Sequence, residues 1–250
     1  MTVYFVGAGP GDPELITIKG QRLIRECPIV LYTGSLVPKE LILHANTAAE
    51  IVNTAHLNLD DIISIIKNAH KKGWDIARVH TGDPSLYSAI GEQIRELERL
   101  KIPYNVIPGV TVAFAGASVL GRELTLPGIS QTVILTRHAG KTPMPDGESL
   151  PELAIHRATM AIYLSIDKLD NIVDELTPQY GVDCPVAVLY KVSWANQDVV
   201  VGTLSDIVGK VKSKGFTRTA LIIVGRVIEP LDEFSASHLY SPERAGIRDG

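Results

Sequence analysis

The chain has 250 residues, 45% of them hydrophobic and 21% charged, a composition that supports a packed core and excludes disorder, collagen and coiled coil. Its 24 Lys and Arg stand against 28 Asp and Glu, a formal net charge of −4 that argues against a protein whose main task is coating nucleic acid. Cys27 and Cys184 lie outside any CxxC or Cys/His cluster, which removes the basis for a disulfide scaffold or a structural zinc site.

From the amino terminus, the apolar runs Val3–Val6, Ile29–Tyr32, Asp75–His80 and Tyr104–Ile107, with a weaker one at Glu50–Asn53, predict strands. Between them Leu59, Ile62, Ile63, Ile66 and Ala69 form one helical stripe, and Leu86, Ile90, Ile94, Leu97 and Leu100 another, opening near Leu86. The alternation restarts with Gln131–Thr136, Met160–Ser165, Val186–Val192 and Ala220–Val224. Its helices show through Leu169, Ile172, Val173 and Leu176, and through Leu204, Ile207, Val208 and Val211. Strand and helix in turn predict an α/β chain with mainly parallel sheets. The Gly/Pro punctuation from Gly121 to Gly128 divides it into domains 1–120 and 121–228, with a mobile tail over 229–250. No apolar run approaches the ~20 residues that span a bilayer, and the chain enters a strand at once without a basic leader. The expectation is a soluble protein of a reducing cytoplasm, without membrane or nucleic-acid partners.

Three Gly/Pro turns follow strands of the first half. The first, Gly7-Ala8-Gly9-Pro10-Gly11-Asp12-Pro13, departs from a dinucleotide fingerprint: Asp12 stands where a third Gly belongs, Pro10 lacks an amide donor, and the second strand ends without an acidic residue. A plain tight turn is the alternative. The second, Thr81-Gly82-Asp83-Pro84-Ser85, sits where ligands collect in open α/β sheets, although Asp83 alone reads equally as a helix cap. The third is Pro108-Gly109-Val110-Thr111. Together they make a rim. No GxSxG elbow or Cys/His pairing points to a nucleophile, and the scattered histidines, His80 and His138 among them, give no metal-ligand spacing, so no metal is expected.

These turns, with the closing Thr219-Ala220-Leu221-Ile222-Ile223-Val224-Gly225, resemble the tetrapyrrole methylase family in order and spacing over nearly the whole chain to about residue 228. The resemblance implies two α/β domains of the class III methyltransferase kind, S-adenosylmethionine held in a cleft between them, a tetrapyrrole substrate and a homodimer. Carried over by position, the cofactor-binding residues would be Pro10, Thr81, Gly82, Asp83, Leu86, Thr111, Val112, Leu164 and Val192, with Thr219 and Ala220 near the adenine. Within the family, the stretches Tyr32–Val37, Leu135–Pro143 and Tyr190–Trp194 resemble members acting at the C11 step of the corrin pathway. Gly34-Ser35 stands where uroporphyrinogen methylases carry an acidic residue. A uroporphyrinogen methylase, a ribosomal RNA ribose methylase and a non-catalytic nucleotide-binding module are the alternatives.

A tetrapyrrole fringed with carboxylates needs fixed positive charge and donors. Ser35, Arg122, Thr136, Arg137 and Lys141 are the candidate substrate-binding residues, set against the plainer reading of Arg137 and Lys141 as solvated loop charges. Trp194 reads equally as a lining or a packing residue. No catalytic residue is assigned.

Overall fold

The computed structural model describes residues 1–34 and 36–229. Ser35, a candidate substrate residue, and the expected mobile tail beyond Glu229 lie outside them. The described chain forms two compact units, Met1–Ala115 with Ser193–Ala195, and Gly116–Val192 with the chain from Asn196 onward. No helix among the described residues is long and apolar enough to cross a membrane.

In the first unit β1 (Val3–Gly7), β2 (Ile29–Tyr32), β3 (Glu50–Asn53), β4 (Ile76–His80) and β5 (Tyr104–Ile107) form a parallel sheet ordered β3-β2-β4-β1-β5. Alternate side chains feed two cores. Val3, Phe5, Ile29, Leu31 and Ile76 pack on Ile62, Ile63 and Ile66 of α3 (Leu59–Lys72) and Leu97 of α4 (Ile90–Arg99). Val6, Val30, Ala77 and Val79 pack on Leu23 and Ile24 of α1 (Ile18–Glu26) and Leu41 of α2 (Lys39–Leu43). Thus the connection leaving β1 covers one face, and the one leaving β4 covers the other. Between such neighbouring strands the carboxyl ends open a crevice where ligands bind. The predicted strands and the α3 stripe all form. Asn58 and Asp61 close a capping box on α3, and Gly73 ends it in the left-handed conformation.

The expected helix start near Leu86 is corrected: α4 opens at Ile90, and Asp83 does not cap it. Helices α1, α2, α5 (Val112–Leu120) and α6 (Leu150–Ala154) lie outside the predicted set.

In the second unit β6 (Val133–Arg137), β7 (Thr159–Tyr163), β8 (Pro185–Tyr190), β9 (Asp198–Thr203) and β10 (Ala220–Val224) are ordered β6-β7-β10-β8-β9. Strands β6, β7 and β8 share one direction, as the alternation implies. However, β10 inserts antiparallel between β7 and β8, and β9 pairs antiparallel with β8, so only β6 and β7 are parallel neighbours. The link 191–197 is too short for the dozen or more residues of a parallel crossover, which makes β9 antiparallel. Buried strands read as apolar runs whatever the direction of their neighbours, which is why composition hides this. Met160, Ile162, Val186, Val188, Ile222 and Val224 pack on α7 (Leu169–Tyr180) and α8 (Ile207–Lys214).

Candidate functional site

At the carboxyl ends of β1, β4 and β5 the three predicted turns knit into one rim. The Ala8 amide donates to the His80 carbonyl (2.8 Å), Gly82 N donates to Gly9 O (2.8 Å) and Gly9 N to Gly82 O (3.2 Å). This bridge needs Gly9 and Gly82 at φ 79° and 61°, conformations that other residues adopt only at a cost. A Cβ on Gly7 would sit 2.6 Å from Gly109 Cα, so the loops meet backbone to backbone. Around Gly82 a Cβ would meet Thr111 Cα at 3.9 Å and Val110 O at 4.0 Å, ordinary van der Waals contact, so at this position the positive φ and not crowding calls for glycine.

Asp83 fastens two turns. Its Oδ1 accepts from Ser85 N (2.8 Å) and its Oδ2 from Gly109 N (2.9 Å). The segment behind it is strained, with the non-glycine residues Tyr87 and Ala89 at φ 54° and 50°. Leu86 N donates to Asp83 O, and Thr111 is buried, its carbonyl accepting from Phe114 N and Ala115 N. Val112 opens α5. Pro10, Thr81, Gly82, Asp83, Leu86, Thr111 and Val112 are therefore all on or directly behind this rim.

Ser193–Ala195 complete the first unit. Trp194 Nε1 donates to the Pro10 carbonyl (2.9 Å), Ser193 Oγ accepts from Asp12 N (2.9 Å), and the indole lies against Gly11. Trp194 is thus a clamp on the glycine turn, and Ser193 is a contributor that the sequence reading misses. Nothing local to Ser193 marks it, because its partner lies far off in the chain.

Beneath the rim, β4 buries two polar side chains. Arg78 donates from Nε to Gln93 Oε1 (3.1 Å) and from Nη1 to Thr54 Oγ1 (2.9 Å), and has no carboxylate partner among the described residues. Burial pulls its pKa down to about 10. His80 is 2% exposed and its Nε2 has no hydrogen-bond partner; burial first, then Arg78, lowers its pKa to about 3. A charged and a polar residue inside Ile76-Ala77-Arg78-Val79-His80, otherwise wholly apolar, is the sequence signal for this pair. Both thiols are buried and free, Cys27 pushed up to about 12 and Cys184 to about 11 mainly by burial, which leaves neither poised as a nucleophile.

In the second unit one end of the sheet gathers the carboxyl tips of β6, β7 and β8 and the start of β10. Three non-glycine residues stand there in the left-handed region, Leu164 (φ 55°), Lys191 (φ 44°) and Thr219 (φ 56°). Lys191 N donates to Thr219 O (2.9 Å). Leu164 is 73% exposed, whereas Val192 is buried, so five of the positions carried over by resemblance or proposed for substrate, Leu164, Val192, Thr219, Ala220 and Arg137, meet at this end. Thr136 is there too but buried, its hydroxyl 3.4 Å from the Arg137 carbonyl. Arg122 is not: its Nε donates to Ile228 O (3.3 Å), beyond the far end of β10.

Arg137 turns back on its own loop. Nη1 donates to Thr142 O (2.9 Å) and His138 O (3.3 Å), and Nη2 donates to Pro143 O (3.0 Å). His138 N donates to Ser165 Oγ (2.9 Å), its Nδ1 lies 2.9 Å from Ala139 O, and its Nε2 lies 3.2 Å from Glu175 Oε1. Lys141, exposed on the same loop, makes no ion pair among the described residues.

Residues 2–208 match the family model of the Tetrapyrrole (Corrin/Porphyrin) Methylases. The chain belongs to this family and is a methyltransferase. It is 59% identical to a precorrin-4 C(11)-methyltransferase of Pseudomonas aeruginosa, over 97% of this chain and 96% of that one. It is 50% identical to a cobalt-precorrin-4 C(11)-methyltransferase of Methanocaldococcus jannaschii, over 95% and 92%. Among solved structures, a cobalt precorrin-4 methyltransferase superposes with a TM-score of 0.89 at 39% identity, covering 92% of this chain and 96% of that one. A uroporphyrin-III C-methyltransferase of Thermus thermophilus complexed with S-adenosylhomocysteine gives 0.76 at 28%, covering 91% and 99%.

Proposed function

We propose that the chain transfers a methyl group from S-adenosylmethionine to C11 of precorrin-4, or of its cobalt-bearing counterpart, in corrin biosynthesis. The full-length similarity to relatives of that name carries the reading, and the rim stands at the carboxyl ends of β1, β4 and β5, where open α/β sheets take their ligands. When bound, S-adenosylmethionine supplies an electrophilic methyl on a sulfonium, so the chemistry asks the protein for alignment and exclusion of water. Alignment of this kind contributes up to roughly 7–11 kcal/mol.

In this reading Pro10, Thr81, Gly82, Asp83, Leu86, Thr111 and Val112 hold the donor through main-chain groups, with Leu164, Val192, Thr219 and Ala220 completing its surroundings. Asp83 orients the rim; both its oxygens already accept amide protons, which suits it to positioning rather than to removing a proton. A sulfonium losing its charge reacts faster in neutral, partly apolar surroundings, so the donor's sulfur is expected to be held away from charged side chains. The resemblance to the family also supports a homodimer, which light scattering of the purified chain tests, and a place in the cytoplasm.

The experiment is turnover of purified precorrin-4, with and without cobalt, and NMR assignment of the new methyl. Methylation at C11, none of uroporphyrinogen III, and micromolar binding of S-adenosylhomocysteine without comparable binding of NAD or ATP are the expected results. Methyl transfer to another position, or tight NAD binding without binding of the homocysteine product, overturns the reading.

A further inference from the structure

Arg137 and Lys141 lie on one loop, yet their side chains are in opposite situations. The Arg137 guanidinium reaches carbonyls at three points along the loop, His138, Thr142 and Pro143. A planar fork with several fixed donors suits this task, and donors already directed at backbone carbonyls are not free to meet a ligand. His138 anchors the start of the same loop through Ser165 Oγ, itself buried and donating to Tyr163 O (2.6 Å), and lies beside Glu175 of α7. The loop is therefore braced from β6 on one side and held near β7 and α7 on the other. Lys141 stands between the two braced points, exposed and without an ion pair among the described residues, its ammonium keeping all its donors.

We propose that Arg137 is a positioning residue that braces the loop 138–143, and that Lys141 is the residue of this loop that binds a carboxylate of the tetrapyrrole. The inference rests on the functional reading above and divides between two residues a role that the family resemblance suggests for both. An ammonium pairs with a carboxylate as a point charge, whereas the brace needs the fork, so the two residues are not interchangeable.

The test uses Arg137→Ala, Arg137→Lys, Lys141→Ala and the double alanine variant in the full chain. Trypsin cleavage at the Lys141–Thr142 bond, followed by mass spectrometry, is expected to be about tenfold faster in Arg137→Ala than in wild type, with Arg137→Lys between them. For the tetrapyrrole, Lys141→Ala and Arg137→Ala each raise KM about tenfold, with kcat and S-adenosylhomocysteine affinity changed less than twofold. Because both act through one contact, the double variant is no worse than either single. A double variant whose KM effects multiply to about a hundredfold shows that Arg137 binds a carboxylate of its own and overturns the division of roles. Unchanged cleavage in Arg137→Ala overturns the brace. If the wild-type chain methylates no tetrapyrrole, the functional reading falls, while the cleavage comparison still decides the brace.

Discussion

A guanidinium buried with only an amide and a hydroxyl for company is costly, because the charge leaves water without gaining an opposite one. Arg78 is in that position against Gln93 and Thr54. Gln93→Glu supplies the missing charge at nearly constant volume and is expected to stabilise the protein by about 1–2 kcal/mol. At about 2–4 °C per kcal/mol for a chain of this size, calorimetry resolves the rise; a lower melting temperature would mean that desolvating the new carboxylate outweighs the pairing. His80 makes a second prediction, with its sign set by a depressed pKa. Its imidazole titrates at 6.5 when unperturbed and at about 3 in the folded chain, so below pH 6.5 the unfolded chain takes up a proton that the folded one refuses. Its contribution is complete above pH 6.5 and is lost as pH falls toward 3, at up to about 1.4 kcal/mol per pH unit. His80→Phe, placed beside Phe5, removes that slope. Denaturant titrations from pH 7.5 to 4 that run parallel for the two proteins would disprove it.

At the level of elements, the glycine turns act through space more than through flexibility. Gly109→Ala drives a Cβ into the Gly82 carbonyl and against Gly7, backbone that has nowhere to go, and is expected to cost about 1–3 kcal/mol and to weaken S-adenosylhomocysteine binding. Gly140→Ala meets nothing within 4 Å and should stay within about 0.5 kcal/mol of wild type. Equal denaturation midpoints for the two variants would show that the loops do not depend on their close approach. These turns are legible in the sequence because Gly and Pro punctuate strand ends. The α3 stripe is legible because its apolar residues keep helical spacing. Helix α5 is not, since Val112-Ala113-Phe114-Ala115-Gly116-Ala117-Ser118-Val119-Leu120 is apolar or small on nearly every face. Strand β9 is hidden for another reason: Val200 turns in and Val201 turns out in an edge strand too short for its period to stand clear of its surroundings. The insertion of β10 between β7 and β8 is a matter of pairing partners, which local patterning does not encode.

For the molecule as a whole, the informative feature is that Ser193–Ala195 belong to the first unit while the residues on both sides belong to the second. The glycine turn therefore depends on a segment from the other half of the sequence. Trp194 satisfies the Pro10 carbonyl and covers Gly11, and Ser193 satisfies the Asp12 amide. No reading of residues 1–115 alone foresees this, because a tryptophan after a strand looks the same whether it packs at home or elsewhere. A fragment of residues 1–115 lacks all three contacts. Each lost hydrogen bond is worth about 1 kcal/mol, and the uncovered Gly11 turn loses its apolar lid. The fragment is expected to melt at lower temperature than the full chain and to bind S-adenosylhomocysteine more weakly. Trp194→Ala in the full chain separates this clamp from the other consequences of truncation. It should reproduce the loss of affinity, at least fivefold by calorimetric titration, whereas Trp194→Phe, which keeps one aromatic ring but deletes the Nε1 donor and part of the indole that lies against Gly11, should lose about 1–2 kcal/mol of stability and less of the affinity. Wild-type affinity in Trp194→Ala would show that the glycine turn holds its shape unaided.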